Sequence, residues 1–129
     1  VEEYSVLPDS GGAGRYRGGC GARRVWRVLG NTTRGAVCCE RSKSPPFGLA
    51  GGQPGTPMRI TLEDPDGGQR HPLSKGAFTV AAEGRIIFEV PGSGGYGPPS
   101  ERDPAALADD LKNGYVSKAA AKRDYGVES

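Results

Sequence analysis

The sequence predicts a mainly β fold with long glycine-rich loops and two short C-terminal helices, an α+β chain. Three observations predict this class. Short alternating runs rich in valine, isoleucine and aromatic residues are typical of strands. The 22 glycines and 11 prolines make up about a quarter of the 129 residues, which implies extensive loops. Only the end of the chain combines alanine-rich stretches with helix start and stop signals.

The first predicted elements form a glycine loop followed by two strands. Residues 11–22 alternate glycine with arginine, which favours an irregular loop. The run "RRVWRVL" (23–29) alternates in a strand pattern, and "GN" at 30–31 is a turn signal. Residues 32–40 then read as a returning strand, so the sequence predicts a hairpin of these two strands.

The sequence of the middle of the chain predicts three more strands, which brings the predicted number for the whole chain to about five. The segment 43–55 has consecutive prolines and four glycines, which exclude regular structure. Residues 57–64 alternate apolar and polar side chains up to the turn "PDGG". The runs at 76–82 and 84–90 are further strand candidates, and Glu83-Gly84 is predicted to be a tight connection between them.

The C-terminal part predicts two helices from local signals. Asp103 is suited to cap a helix that begins at Pro104 and stops at Gly114. Ser117 is suited to cap a second helix, "KAAAKRDY", which ends at Gly126 in the left-handed conformation.

The chain length favours one domain over residues 1–129, with a strand-rich part at 11–97 and a helical tail at 103–126. A chain of this size buries only a modest core. We therefore expect it to complete a larger subunit rather than to stand alone.

Charge and composition disfavour two classes of partner. The 17 basic and 15 acidic residues give a net charge of +2, which is weak for a protein that binds nucleic acid. No apolar run is long enough to span a bilayer, so no membrane partner is expected. Three cysteines make no disulfide framework, and we expect a cytoplasmic protein.

The sequence offers no catalytic constellation. The segment "GSGGYG" (92–97) matches G-x-G-x-x-G, but the predicted helix starts only at Pro104, too late for a dinucleotide loop. No Walker-type phosphate loop occurs. The single histidine, His71, lies in a loop and is interpreted as a solvated surface residue. We therefore assign no catalytic residue to this chain.

Metal binding is also disfavoured. Cys20, Cys38, Cys39 and His71 could in principle supply four zinc ligands, but no C-x-x-C spacing exists. Cys38 and Cys39 would point to opposite faces of a strand. Free thiols are the favoured interpretation, with an intrachain zinc site as the alternative.

The carboxylate pairs do not require catalysis. Asp109-Asp110 and Glu101/Asp103 are expected at helix starts or on a helix surface, where capping and the helix dipole explain them.

Glycine loops recur beside strand candidates at 11–21, 48–55 and 92–97. Glycine permits close backbone approach, and arginine can reach carboxylates or phosphates on a partner. The candidate backbone positions are Gly11, Gly12, Gly14, Gly18, Gly19, Gly51, Gly52, Gly92, Gly94, Gly95 and Gly97. The candidates for interface or anion contacts are Arg15, Arg17, Arg23, Arg24 and Arg41.

Four blocks in order resemble the C-terminal region of the hydantoinase B/5-oxoprolinase family. They are "SGGAGRYRGGCGARRVWRVL", "PPFGLAGGQPG", "LSKGAFTV" and "VPGSGGYGPPSERDPAALADDLKNGYVSKAAAKRDYGV", and together they span residues 10–127. Two features depart from the family pattern: Pro98 takes the place of the aspartate in the usual Gly-Asp-Pro, and Cys38-Cys39 replace an ordinary strand segment.

The resemblance implies chemistry in which ATP phosphorylates a carbonyl oxygen or bicarbonate before hydrolysis or carboxylation. The leading expectation is a small structural or site-completing subunit, split off from an ATP-dependent ketone carboxylase of the acetophenone carboxylase kind. Such a subunit belongs to an enzyme, a ligase, but is not catalytic on its own.

The implied partners are larger hydantoinase A-like and B-like subunits, which would hold ATP and a divalent metal, whereas this chain would bind no cofactor. One alternative is the C-terminal portion of a hydantoinase or 5-oxoprolinase that hydrolyses a cyclic amide. A different class is a stand-alone module that binds anions or RNA.

Overall fold

A computed structural model describes residues 1–72 and 74–127 and confirms the mainly β class with two short helices. Leu73, which opens the block "LSKGAFTV", and the last two residues of the predicted domain lie outside the described residues. The described elements are β1 Glu3–Val6, β2 Ala22–Arg27, β3 Thr33–Cys38, β4 Arg59–Glu63, β5 Gln69–Arg70, β6 Lys75–Val80, β7 Arg85–Glu89, a 3-10 turn Pro99–Glu101, α1 Pro104–Lys112 and α2 Lys118–Tyr125.

The strands form two antiparallel sheets. The larger sheet has the order β1-β2-β7-β4-β5, and the smaller one pairs β3 with β6. Ile87 on the central strand β7 lies opposite Val25 on one side and Thr61 on the other. All three side chains are buried, which fixes the register of the sheet centre.

The predicted hairpin of strands 23–29 and 32–40 is wrong. Each segment contains a strand, but β3 pairs with β6 and β2 pairs with β7. The chain leaving β2 is held instead by the turn before β7, where Val28 N–H donates to Gly84 O and Glu83 N–H donates to Val28 O. The Glu83-Gly84 turn is present, but it connects strands of two different sheets.

One apolar cluster explains why β3 and β6 separate from their neighbours in sequence. Val28, Met58, Ile60, Leu62 and Val80 form its buried centre, and side chains of the small sheet pack against it. Pairing β3 with β6 therefore covers apolar surface of the large sheet that a β2–β3 hairpin would leave in water. β1 and β5 were not predicted, because both are short edge strands whose residues are exposed.

The two helices begin and end as predicted and pack together. Their shared cluster is Leu107, Val116, Ala120 and Ala121. No helix in the described part of the chain has the length and apolar character needed to cross a membrane.

Replacing Ser117 with alanine is expected to lower the free energy of unfolding by about 1 kcal/mol. The Ser117 Oγ accepts the Ala120 N–H at 3.1 Å, and alanine leaves that donor without its capping partner. Urea unfolding of the purified protein measures the change. Ser117→Asp retains a capping oxygen and should keep most of the stability, and equal losses in both variants would contradict the capping role.

Candidate functional site

Three glycine-rich segments, residues 10–19, 48–55 and 92–97, pack backbone against backbone, and we call them the glycine core. Gly12 N–H donates to Ser93 O at 2.8 Å, Gln53 N–H to Ala13 O at 2.8 Å, and Leu49 N–H to Gly95 O at 2.9 Å. Each segment therefore bonds to another across a long sequence separation, and the three loops predicted separately are one structure.

Most glycines of the core have no room for a side chain. A Cβ on Gly12 would lie 2.1 Å from Gln53 O, and one on Gly94 would lie 1.9 Å from Phe47 O. Gly51 and Gly97 have positive φ angles of 92° and 74°. At Gly19 the nearest atom is 3.8 Å away, so that position does not require glycine. The predicted positions at which a Cβ would approach backbone atoms within 3.0 Å are Gly11, Gly12, Gly14, Gly18, Gly52, Gly92, Gly94 and Gly95.

Four backbone N–H groups of the glycine core are not available to bind a phosphate. A phosphate loop needs free backbone N–H groups directed at the anion, often at a helix N-terminus. Here the N–H groups of Gly12, Gly18, Gly95 and Gly97 all donate to backbone carbonyls of the core. Helix α1 begins only at Pro104, as predicted. The core is therefore a packing device, and we derive no ATP chemistry from it.

A buried ion cluster ties the glycine core to the helical tail. Arg17 donates two hydrogen bonds to the Asp110 carboxylate, from Nε to Oδ2 at 3.1 Å and from Nη2 to Oδ1 at 3.0 Å. Arg102 donates a third, short hydrogen bond to the same carboxylate. The three side chains are only 14%, 8% and 10% exposed for Arg17, Asp110 and Arg102. Arg17 Nη1 also donates to Gly18 O at 2.6 Å, which anchors it within the core.

The charges of this cluster are unequal, with two guanidinium groups on one carboxylate. Burial acts to raise the pKa of Asp110, but the hydrogen bonds and charges of Arg17 and Arg102 outweigh it, so the pKa lies below its ordinary value. Arg102 Nε and Tyr125 Oη are buried, and neither has a hydrogen-bond partner among residues 1–72 and 74–127. Burial raises the pKa of Tyr125, which keeps the phenol neutral beside the cluster.

The prediction that both Asp109 and Asp110 lie on a helix surface is wrong for Asp110. It was expected on a helix surface, but it is buried, whereas Asp109 is exposed as expected. The helical spacing carried a signal, because Asp110 follows the core residue Leu107 by three positions and shares its face.

Two of the predicted arginines have intrachain partners that leave them partly accessible. Arg15 lies 3.7 Å from Glu101, and both side chains are about half exposed. Arg23 bridges the carboxylates of Glu3 and Glu89, at 3.4 Å and 2.7 Å. Surface pairs of this kind contribute little to stability.

The remaining two predicted arginines, Arg24 and Arg41, form none of the buried ion pairs that hold Arg17. Arg24 stacks over the Tyr4 ring at 4.2 Å and the Trp26 ring at 5.4 Å, and Arg41 is exposed. The Arg17 side chain is buried in its ion pair with Asp110, so within this chain it has a structural role. That any of the five arginines contacts a partner stays a prediction.

An open cleft of about 480 Å³ lies beside His71, lined also by Ser42, Arg59, Ser74 and neighbouring apolar residues. His71 is exposed, and its Nδ1 is 3.3 Å from Thr61 Oγ1 and 3.4 Å from Ile60 O. Within residues 1–72 and 74–127, no serine or cysteine hydrogen-bonds to His71. The hydroxyl beside His71 is that of Thr61, which is 7% exposed within β4 and does not line the cleft.

The cysteines behave as separate free thiols. Cys38 is exposed, whereas Cys39 is partly buried against the large apolar cluster, as expected for opposite faces of a strand. Cys20 Sγ lies 3.3 Å from Arg17 Nη1. Across the described residues, no group of three or more His, Cys, Asp or Glu side chains is placed to hold a metal ion.

Alkylation with iodoacetamide at pH 8 is expected to modify Cys38 several-fold faster than Cys39. Burial, followed by the charges of Cys38 and Glu40, raises the pKa of Cys39, so that less of it is the reactive thiolate. Peptide mapping by mass spectrometry gives the two rates. In 6 M urea the difference should largely disappear, and equal rates in the native protein would contradict the assigned burial.

A comparison of the sequence with models of protein families identifies the family of this chain. The model described as hydantoinase B/oxoprolinase matches residues 1–99. The chain therefore belongs to the hydantoinase B/oxoprolinase family.

Individual relatives match over nearly the whole chain. It is 38% identical over 130 residues to the uncharacterized protein MJ0963 of Methanocaldococcus jannaschii, covering 99% of this chain and 22% of the relative. It is 34% identical over 136 residues to caprolactamase subunit beta of Pseudomonas jessenii, covering 98% and 22%. The crystal structure of that ATP-dependent caprolactamase superimposes with a TM-score of 0.84 at 30% identity, over 100% of this chain and 23% of the other.

A carboxylase is among the relatives. The acetone carboxylase alpha subunit of Xanthobacter autotrophicus is 29% identical over 165 residues, covering 95% of this chain and 20% of the relative. The chain thus spans about a fifth of the length of these three relatives. It is related both to an ATP-dependent lactam hydrolase and to a ketone carboxylase.

Proposed function

We propose that this chain is a scaffold module, the C-terminal region of a B-type subunit, in an ATP-dependent enzyme that hydrolyses a cyclic amide. The observation that carries the proposal is the match to caprolactamase subunit beta over 98% of the chain, with the same fold at a TM-score of 0.84. A matched region that is about a fifth of its relatives fits a part of a catalytic assembly.

The chemistry of the described residues supports a scaffold role. Six glycine N–H groups of the core donate to backbone carbonyls, namely those of Gly12, Gly18, Gly52, Gly55, Gly95 and Gly97. In the buried cluster, Asp110 accepts hydrogen bonds from two arginines. The hydroxyl next to His71 belongs to Thr61, which is buried in the sheet. The glycine core and the ion cluster hold three loops and two helices in one rigid arrangement, and another part of the enzyme can be positioned on it.

The proposal assigns the reacting groups elsewhere. ATP and a divalent metal ion would be held by larger A-like and B-like subunits in the cytoplasm, where ATP activates the amide carbonyl oxygen by phosphorylation. ADP would leave after the phosphoryl transfer, and water would add to the activated carbon. The ring C–N bond would then break with a proton passing to the nitrogen, and a second water would release phosphate from the resulting acyl phosphate.

Ketone carboxylation is the second candidate, favoured by the match to the acetone carboxylase alpha subunit over 95% of the chain. The lower identity, 29% against 34%, ranks it behind lactam hydrolysis. Acetophenone as the substrate stays a prediction.

The stand-alone anion or RNA module is disfavoured on geometry. Arg17, one of the two arginines on which that alternative depends, is buried on Asp110. Arg15 remains half exposed, so Arg15→Ala is the variant that would weaken RNA binding if this alternative held.

The test is purification of the native protein with its associated subunits, followed by measurement of substrate-dependent ADP formation. We expect ADP with caprolactam, hydantoin or 5-oxoproline in the absence of bicarbonate. ADP formation that needs both a ketone and bicarbonate would instead favour the carboxylase. Purification as a stable monomer that lacks any larger family subunit would contradict both.

A further inference from the structure

Three large apolar residues form a row across the outer face of the glycine core. Tyr96 is bridged to Tyr16 on one side in antiparallel fashion and to Leu49 on the other in parallel fashion. Side chains directly opposite one another in paired segments project to the same face. We call Tyr16, Leu49 and Tyr96 the apolar row, and they are 60%, 57% and 53% exposed.

The apolar row presents a patch of appreciable size. The Tyr16 and Tyr96 ring centroids are 6.3 Å apart. Phe47, two residues before Leu49 in sequence, is also exposed, at 67%. The three side chains of the row, each more than half exposed, present roughly 300 Å², the size of patch that often has a function on a soluble protein.

The backbone beneath the row makes it a rigid surface. Tyr16 and Tyr96 exchange two backbone hydrogen bonds of 2.9 Å, and Leu49 O accepts the Gly97 N–H at 3.0 Å. Gly48, Gly95 and Gly97, which flank Leu49 and Tyr96 in sequence, carry no side chains that could cover the row. A preorganised apolar surface loses little entropy on binding, which favours a stable protein contact.

We propose that the apolar row is the surface on which the remainder of the B-type subunit docks. This inference rests on the proposed function. The longer relatives place about four-fifths of their length outside the region that this chain matches, so a large protein body must lie beside this fold. Tyrosine is enriched where protein surfaces bind tightly, because it combines apolar area with a hydroxyl.

The row also indicates the chemistry of its occupant. The Arg15 guanidinium lies 5.5 Å from the Tyr16 ring centroid, at the edge of the row and close to Glu101. The fitting surface is therefore apolar at its centre, has acceptors for two tyrosine hydroxyls and carries a carboxylate near Arg15. This keeps Arg15, unlike Arg17, as an interface residue.

The test uses photo-crosslinking in the protein as its own cells make it. The photoreactive amino acid p-benzoylphenylalanine is placed at Tyr16 or Tyr96, with Tyr4 as the control because it is an exposed tyrosine on β1 outside the row. After irradiation, crosslinked peptides are identified by mass spectrometry. We expect crosslinks from positions 16 and 96 into the body of the B-type subunit, at least tenfold above those from position 4.

The outcomes separate this inference from the proposed function. If a B-type body is present but crosslinks arise only from position 4, or join the row to a second copy of this chain or to an A-type subunit, the docking surface is wrong and the proposed function stands. If no family subunit is present at all, the proposed function fails, and the inference fails with it.

A matched pair of variants gives an independent measurement. Tyr16→Ser combined with Tyr96→Ser should reduce the amount of B-type body that remains associated after limited trypsin cleavage at least tenfold, whereas Tyr4→Ser should leave it unchanged. Thermal unfolding of each variant shows whether the fold is retained. A folded double variant that still holds the body would overturn the proposal.

Discussion

Replacing Asp110 with asparagine is expected to lower the free energy of unfolding by about 3 to 5 kcal/mol. The carboxylate accepts two hydrogen bonds from Arg17 and one from Arg102, and all three side chains are nearly buried. Asparagine has almost the same volume but no charge, so both guanidinium groups stay buried without a counter-ion. Urea unfolding of wild type and variant under identical conditions gives the difference.

The neighbouring Asp109 provides the matched control. It lies on the same helix and is exposed, so Asp109→Asn should change the stability by less than about 0.5 kcal/mol. Equal, small effects of the two substitutions would mean that the cluster contributes nothing to folding.

The same cluster predicts the response to acid. Because the folded-state pKa of Asp110 lies below its ordinary value, its contribution is fully present above the unfolded pKa near 4. The contribution is lost as the pH falls through the lowered folded pKa. Asp110→Asn should therefore flatten the loss of stability below pH 4, whereas Asp109→Asn should leave the wild-type curve.

Replacing Gly12 with alanine is expected to destabilise the fold by about 3 kcal/mol or more, the upper range for overpacking. The added methyl would lie 2.1 Å from Gln53 O, 2.7 Å from Gly95 N and 2.8 Å from Pro54 C. These are backbone atoms of both other segments, so no side chain can rotate away to make room.

Gly19→Ala is the control for this prediction. It lies in the same segment without a positive φ, and its nearest neighbour is the Ser93 Oγ at 3.8 Å. It should be neutral or slightly stabilising, because alanine restricts the unfolded chain. Thermal unfolding of both variants measures the contrast, and a Gly12→Ala protein as stable as Gly19→Ala would refute the close packing of the core.

The helices were predictable from sequence because their signals are local. Asp103 and Ser117 accept hydrogen bonds from residues two and three positions ahead, and Gly126 ends α2 with φ of 69°. Such signals do not depend on the rest of the fold. The family resemblance was likewise readable, because its glycine blocks are distinctive in order and spacing.

The strand partners were not predictable from neighbouring sequence. β4 and β5 lie between β3 and β6 in the sequence, and burial of the cluster around Leu62 favours the pairing of β3 with β6 over a β2–β3 hairpin. The buried ion cluster of Arg17, Asp110 and Arg102 was not predicted for the same reason, because Arg17 and Asp110 are 93 positions apart in the sequence. Each residue type was noticed, but only the folded chain brings the two charges together.

The glycine core has a consequence for the order of events during synthesis. The Gly12 N–H bonds to Ser93 O, so its acceptor leaves the ribosome about 80 residues later, roughly 4 to 16 s at ordinary elongation rates. Glycine brings no apolar side chain that could collapse locally in the meantime. The hydrogen bonds that join the first segment to the third therefore cannot form until translation has reached the third, and until then this part of the first segment stays open to chaperones or proteases.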